Sequence, residues 1–183
     1  MLGLKAFEAV LTIPKNLNST TGEAVSPDQF REAMSRVGSA VHIVTTDGNA
    51  GHAGLTATAF SAVSDAPPIV LVCVNRSSRS HGIILQNKVF CVNTLATNAE
   101  QYANLFAGRT NADPDADRFS GLEVSVASTG APILPEALSA MDCIVRETVE
   151  MGTHTVFFGS VQAVVLGPDA PGLIYRGRKY RSV

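Results

Sequence analysis

Tryptophan is absent from this 183-residue chain. Its own near-ultraviolet absorbance is therefore weak, and a bound chromophore would stand out. Cysteine is scarce: Cys73, Cys91 and Cys143 lie far apart in apolar, strand-like runs. An odd number at long spacing is neither a disulfide framework nor a zinc site. Three buried thiols acting as small hydrophobes fit better, and with them a reducing, cytoplasmic setting. No pair among His42, His52, His81 and His154 has metal-ligand spacing, so no metal is expected. A basic excess is also lacking. The formal net charge is -2, which argues against a nucleic-acid partner. No apolar run approaches the roughly 20 residues of a membrane span. The first residues, MLGLKAFEAVLTIPK, carry Glu8 within their apolar part and lack a small-residue cleavage site, so no secretory leader is expected. GxGxxG, a P-loop and GxSxG are all missing, which disfavours a Rossmann domain, a P-loop nucleotidase and a serine hydrolase.

What is present describes a globular chain with a substantial core: 45% hydrophobic residues and 16% charged. Residues 1–25 read as an N-terminal extension and linker, broken at Pro14. Residues 26–183 read as one domain. Ser26-Pro27-Asp28 is a helix start, with Ser26 as N-cap and the helix running to about Arg36. Strands are expected over Ala40–Thr46, Ala50–Ala59, Ile69–Val74 and Val89–Leu95, with a turn at Asp47-Gly48-Asn49. Ile69–Val74 is wholly apolar, which predicts burial on both faces. A further short strand is expected in Leu122–Val126. Ala140–Glu150 and Thr153–Leu166 form a long hairpin turning at Met151-Gly152. Alternation in its first strand sets Met141, Cys143 and Val145 against Asp142, Arg146 and Glu150. Gly159 in mid-strand predicts a bulge or a close approach. Short helices are expected at Ser80–Gln86 and Asn98–Phe106, the second capped by Asn98, with a polar surface loop over 108–120. Many strands, short turns and few helices predict a mostly-β barrel with peripheral helices.

Four places can carry chemistry. Thr56, Ala57, Thr58, Ala59 and Phe60 are small residues ending in an aromatic. They allow a flat ring to lie close to the backbone, or simply form a strand packed on another. Asn75 to His81 (NRSSRSH) sets Arg76, Arg79, Ser78 and Ser80 at a helix start. Free N–H groups, hydroxyls and guanidinium forks there suit a phosphate; an ordinary cap with solvated arginines is equally compatible. His154 at a strand start can touch a substrate or hold a structural bond. The tail, with Tyr175, Arg176, Arg178, Lys179, Tyr180 and Arg181, can grip an anionic planar ligand or stand in solvent.

In order, FREAMSRVGSAVHIVTT, GLTATAFSAVSDAPPIVLVCVNRSSRSH, FCVNTL, a helix ending LFAG, GTHTVFFGSV and LIYRGRKY resemble the short-chain NAD(P)H:flavin reductases. These are the reductase components of two-component flavin monooxygenases. The likeness covers about residues 28–181. It implies an FMN-binding split β-barrel with Greek-key-like connections, a homodimer with flavin near the interface, and FMN or FAD as cofactor. NADH or NADPH would be the reductant, passing hydride from nicotinamide C4 to flavin N5, and reduced flavin would leave for a partner monooxygenase. By the same resemblance, Thr56 to Phe60 line the isoalloxazine. Asn75, Ser78 and Ser80 face the phosphate, with Arg76 or Arg79, in the turn that ends at His81. His154 takes the place of the family's nicotinamide-positioning histidine, with no obligatory acid–base residue. Tyr175 and Arg176 approach the flavin or the pyridine nucleotide. Thr153 stands where many members have Asp, and a neutral threonine holds no charged partner for His154. A flavin-retaining oxidase on the same barrel, or a non-catalytic flavin- or haem-binding module, are the alternatives.

Overall fold

The computed structural model describes residues 24–110 and 116–183. The expected extension over 1–25 lies outside the described residues but for Ala24 and Val25. Helix α1 (Pro27–Ser35) starts where the sequence predicts. Ser26 Oγ accepts the Gln29 N–H at 3.2 Å, and Gln29 Oε1 accepts the Ser26 N–H at 2.9 Å. This reciprocal pair satisfies two N–H groups that a helix start leaves open. The chain divides into two units after Ala33, within α1.

The second unit, Met34–Val183, is mostly β. Its main sheet has seven antiparallel strands: β2 (His42–Thr46), β3 (Ala53–Ala57), β4 (Phe60–Asp65), β5 (Pro68–Asn75), β6 (Val89–Leu95), β9 (Ala137–Met151) and β10 (His154–Leu166). Their order across the sheet is β3-β2-β6-β9-β10-β5-β4. The two edge strands, β3 and β4, are consecutive in the chain and joined only by Thr58-Ala59. The sheet therefore curls until its edges meet at that link without pairing, which is the split of a split barrel. A second sheet joins β1 (Ser39–Ala40) to a hairpin of β11 (Leu173–Arg176) and β12 (Lys179–Ser182). A small ribbon pairs β7 (Ser125–Val126) with β8 (Pro132–Ile133). Helices α2 (Arg79–Asn87) and α3 (Glu100–Phe106) pack at the periphery. No helix among the described residues is long and apolar enough to cross a membrane.

Two cores share β2, whose five residues are all buried. One holds Val44, Val72, Phe90, Cys143 and Phe157. The other holds Val41, Ile43, Leu95, Phe106 and Leu173. Gly159 meets both sequence expectations. The register shifts between Phe158 and Gly159, and a Cβ there would lie 2.4 Å from Phe90 Cζ.

Several expectations need correction. Asp142 does not face water with Arg146; it is buried, and its carboxylate accepts the N–H and the hydroxyl of Thr129. β5 is not buried on both faces: Val70, Val72 and Val74 are, while Ile69, Leu71 and Cys73 are only half-buried. The strand expected over Ala50–Ala59 is shorter, Ala53–Ala57, and a further strand not expected from the sequence, β4, begins at Phe60. Asn98 caps no helix; it lies inside a 3-10 turn, Thr97–Ala99, that leads into α3, and its amide donates to Glu136. The expected strand in Leu122–Val126 is only Ser125–Val126. The tail is a hairpin turning at Gly177-Arg178, both at φ +61, the backbone of a tight two-residue turn.

Candidate functional site

Thr58, the first residue of the β3–β4 link, lines a cavity of about 170 Å³. One wall is Thr56, Ala57 and Thr58. Among the described residues β3 is an edge strand, paired only with β2. Facing it are Tyr175 and Tyr180, directly opposite each other in the β11–β12 hairpin, with ring centroids 5.2 Å apart. Arg109 caps this pair: its guanidinium carbon is 5.5 Å from the Tyr175 ring centroid and its Nη2 3.4 Å from the phenol oxygen. The bond to Tyr175 strengthens the hold of Arg109 on its proton, while burial pushes the Tyr180 phenol up. The Thr56 hydroxyl is committed elsewhere, donating to Ala103 O at 2.7 Å. That bond fixes β3 against α3.

A second cavity, of about 180 Å³, lies further along the same strand. Ser78, Arg79 and Ser80 form one side, Ala53 and Gly54 the floor, and Asp117, Arg118 and Phe119 the outer side. Ser80 is buried and donates to Gly54 O at 3.0 Å, which ties the start of α2 to β3. Gly54 is required here: a Cβ would sit 2.5 Å from Phe106 Cε1. Serine hydroxyls, a helix start and two guanidinium groups are chemistry that suits an anion, beside one carboxylate, Asp117, in the same lining.

The other sequence candidates lie apart from these two cavities or play different parts. Asn75 Oδ1 accepts the N–H and hydroxyl of Ser77, shaping the turn. Arg76 turns away: it donates to Glu150 Oε2 at 2.7 Å and to Gly152 O at 2.6 Å. His81 Nε2 is 2.9 Å from Thr155 Oγ1, with its ring edge-on to Phe157. Phe60 packs on the buried His42, ring centroids 4.6 Å apart. Ala59 contributes its carbonyl to Cys73 N–H at 3.0 Å. His154 sits opposite Asn75, its Nδ1 2.9 Å from the Thr153 hydroxyl, so the residue in place of aspartate is a neutral partner. Arg176 alternates away from Tyr175, and its Nε donates to Arg36 O.

Among the residues lining these cavities, Arg109, Asp117, Arg118 and Phe119 are not sequence candidates. All sit in the polar stretch 108–120, whose composition predicts only a surface loop. Phe119, an aromatic among charges, is the one signal there: it stacks edge-on with Phe106 at 5.1 Å. The central residues of that loop, 111–115, lie outside the described residues.

Comparison with known proteins gives the family. The flavin reductase like domain model matches residues 34–183. The chain is 46% identical over 168 residues, 92% of its length and 91% of the relative's, to FMN reductase (NADH) RutF of Ancylobacter novellus. It is 48% identical to FMN reductase (NADH) RutF 2 of Methylorubrum extorquens, over 89% of this chain and 93% of the relative. Among solved structures, the NADH:FAD oxidoreductase SgcE6 of Streptomyces globisporus superposes with a TM-score of 0.78 at 29% identity, covering 88% of this chain and 98% of that one. BorF, the flavin reductase component of a bacterial two-component tryptophan halogenase, gives 0.78 at 28% identity over 86% and 98%. With its split barrel, its two cavities along β3 and these matches across most of its length, the chain belongs to the flavin reductase-like family.

Proposed function

We propose that the protein is an NADH-dependent FMN reductase. The observation that carries this reading is the pair of cavities along β3, an aromatic one at Thr56–Thr58 and an anion one at Ser78–Ser80. They suit the two ends of a flavin mononucleotide. The residues fit the group: the sheet edge supports pairing of ring-edge atoms with the backbone of residues 56–58, and Tyr175 and Tyr180, their rings inclined by 59°, offer aromatic faces. Ser78, Arg79 and Arg118 would hold the phosphate, with Ser80 and Asn75 shaping the turn beneath it.

When bound, flavin supplies the acceptor for the hydride that leaves nicotinamide C4. The chain's part is to align the two rings and exclude water. His154, the first residue of β10 after the β9–β10 turn, positions the nicotinamide and is not required to move a proton. FMN is preferred to FAD because the relatives at 46–48% identity are named for FMN, whereas the protein named for FAD is at 29%. NADH is preferred to NADPH on the same names. Reduced flavin would pass to a separate oxygenase component, by analogy with BorF, the reductase component of a two-component halogenase. The enzyme is a homodimer on this reading: Val63 on β4 and Val164 and Leu166 at the end of β10 leave apolar surface exposed for a second copy. Three unpaired thiols support a cytoplasmic setting.

Steady-state NADH oxidation with FMN and FAD in turn, then with NADPH, tests the reading. FMN with NADH should give the highest kcat/KM, and light scattering should give the mass of two chains. Tight flavin retention without NADH oxidation would instead favour an oxidase or a binding module.

A further inference from the structure

The outer side of the cavity at Ser78–Ser80 is a short turn, Ala116 to Phe119. Contacts of Asp117, Arg118 and Phe119 hold its position. Asp117 Oδ1 lies 3.0 Å from His52 Nε2 and also accepts the Phe119 N–H at 2.9 Å. Arg118 donates to Phe106 O, the last carbonyl of α3, at 2.8 Å. The Phe119 ring packs edge-on against His52, at 5.1 Å between centroids, and against Phe106. His52 is thus the hub: its ring meets Phe119 and its Nε2 meets Asp117. It lies just before β3, so the strand that floors the cavity also holds its far side.

We propose that His52 and Asp117 are a positioning pair for the phosphate end of the cofactor. They hold the 116–119 turn so that Arg118 faces Ser78 and Arg79 across the cavity. This rests on the reading that the cavity receives a flavin phosphate. The physical reason is geometric. A guanidinium on a long side chain binds an anion well only when its direction is set beforehand, because ordering it at the moment of binding costs rotamer entropy. The Phe106 carbonyl sets the direction of Arg118, and the His52–Asp117 contact keeps the backbone carrying Arg118 within reach of that carbonyl. The wall also reduces exposure of the cavity to water, and charges attract more strongly where water is scarce. The pair itself is about half exposed, so its direct contribution is small and reduced by salt. Its effect is on where Arg118 stands.

The test compares two ligands that differ only in the phosphate. Dissociation constants for FMN and for riboflavin are measured on the full chain, for wild type, His52→Ala, Asp117→Ala and the double variant. The expected result is FMN binding weaker by about threefold to tenfold in each single variant, with the double variant no worse than the weaker single. Riboflavin binding stays unchanged in all four. A merely structural role would weaken both ligands together, and that result overturns the proposal. Unaltered FMN affinity in both single variants, while Arg79→Ala lowers it, overturns the positioning role and leaves the phosphate cavity standing. FMN binding no tighter than riboflavin in wild type overturns the phosphate reading and this inference with it.

Discussion

Arg76 Nη1 lies 2.7 Å from Glu150 Oε2, across 74 residues of chain, and its second nitrogen donates to Gly152 O. The Arg76 N–H also donates to Thr153 O at 3.0 Å. One residue at the end of β5 therefore fastens the turn that presents His154.

Removing that fastening should act on the nucleotide rather than the flavin. Arg76→Met is expected to raise the KM for NADH severalfold and to leave the dissociation constant of FMN unchanged. His154→Ala should do the same more strongly, with a smaller loss of kcat. Steady-state kinetics with a parallel FMN titration check both. Weaker FMN binding in Arg76→Met would return Arg76 to the phosphate site.

Gly159 has no room for a methyl group, because Phe90 Cζ and Cys143 Cβ lie 2.4 and 2.9 Å from where it would stand. Gly159→Ala overfills the barrel core, a change that costs about 1–3 kcal/mol. In a chain of this size that is about 2–12 °C in Tm. A thermal melt of the variant without added flavin reads the effect, and an unchanged Tm would contradict it.

His42 is buried between Thr94 and Phe60, and burial pulls its pKa from 6.5 to about 4. The unfolded chain takes up this proton near the ordinary value, the folded chain only near the lower one. Between the two the unfolded state holds more protons. Stability from this source is complete above the ordinary value and falls as pH drops toward the lower one, by about 3 kcal/mol. His42→Gln should flatten that fall. Urea midpoints at about pH 7 and about pH 4.5 for both proteins measure it; equal losses in the two would contradict the assignment.

The thiols should be poorly reactive. Burial raises all three, with Asp142 adding to the effect at Cys91 and Cys143, the latter pushed up to about 12. A thiol-specific chromogenic reagent at mildly alkaline pH is expected to modify Cys73 at most in the folded protein, and all three after unfolding. Rapid modification of two or more in the folded state would contradict the packing.

How much of the fold and site is legible in the sequence depends on how local each cause is. Strand β6 has the bounds its apolar run predicts, because its own neighbours end it. The Ser26 cap and the Gly159 bulge are legible for the same reason. Asp142 departs from its expected place because its partner, Thr129, sits in a loop that alternation does not describe. β4 escapes the pattern because Phe60–Asp65 is mostly exposed and shows no apolar alternation. In the site, Thr56–Thr58 and Ser78–Ser80 are visible as motifs. Arg76 points the other way because its acceptors lie on a hairpin 74 residues along the chain. Tyr175 and Tyr180 are visible as a cluster, but their pairing depends on the tight turn at Gly177-Arg178.

If this barrel aligns NADH with FMN for direct hydride transfer, anaerobic single-turnover mixing of the FMN-loaded protein with NADH will show it. The oxidised-flavin absorbance should disappear in one fast phase, with one NADH consumed per flavin. That phase should slow when NADH carries deuterium at the transferred C4 position. Oxidised flavin that persists at saturating NADH would contradict direct transfer.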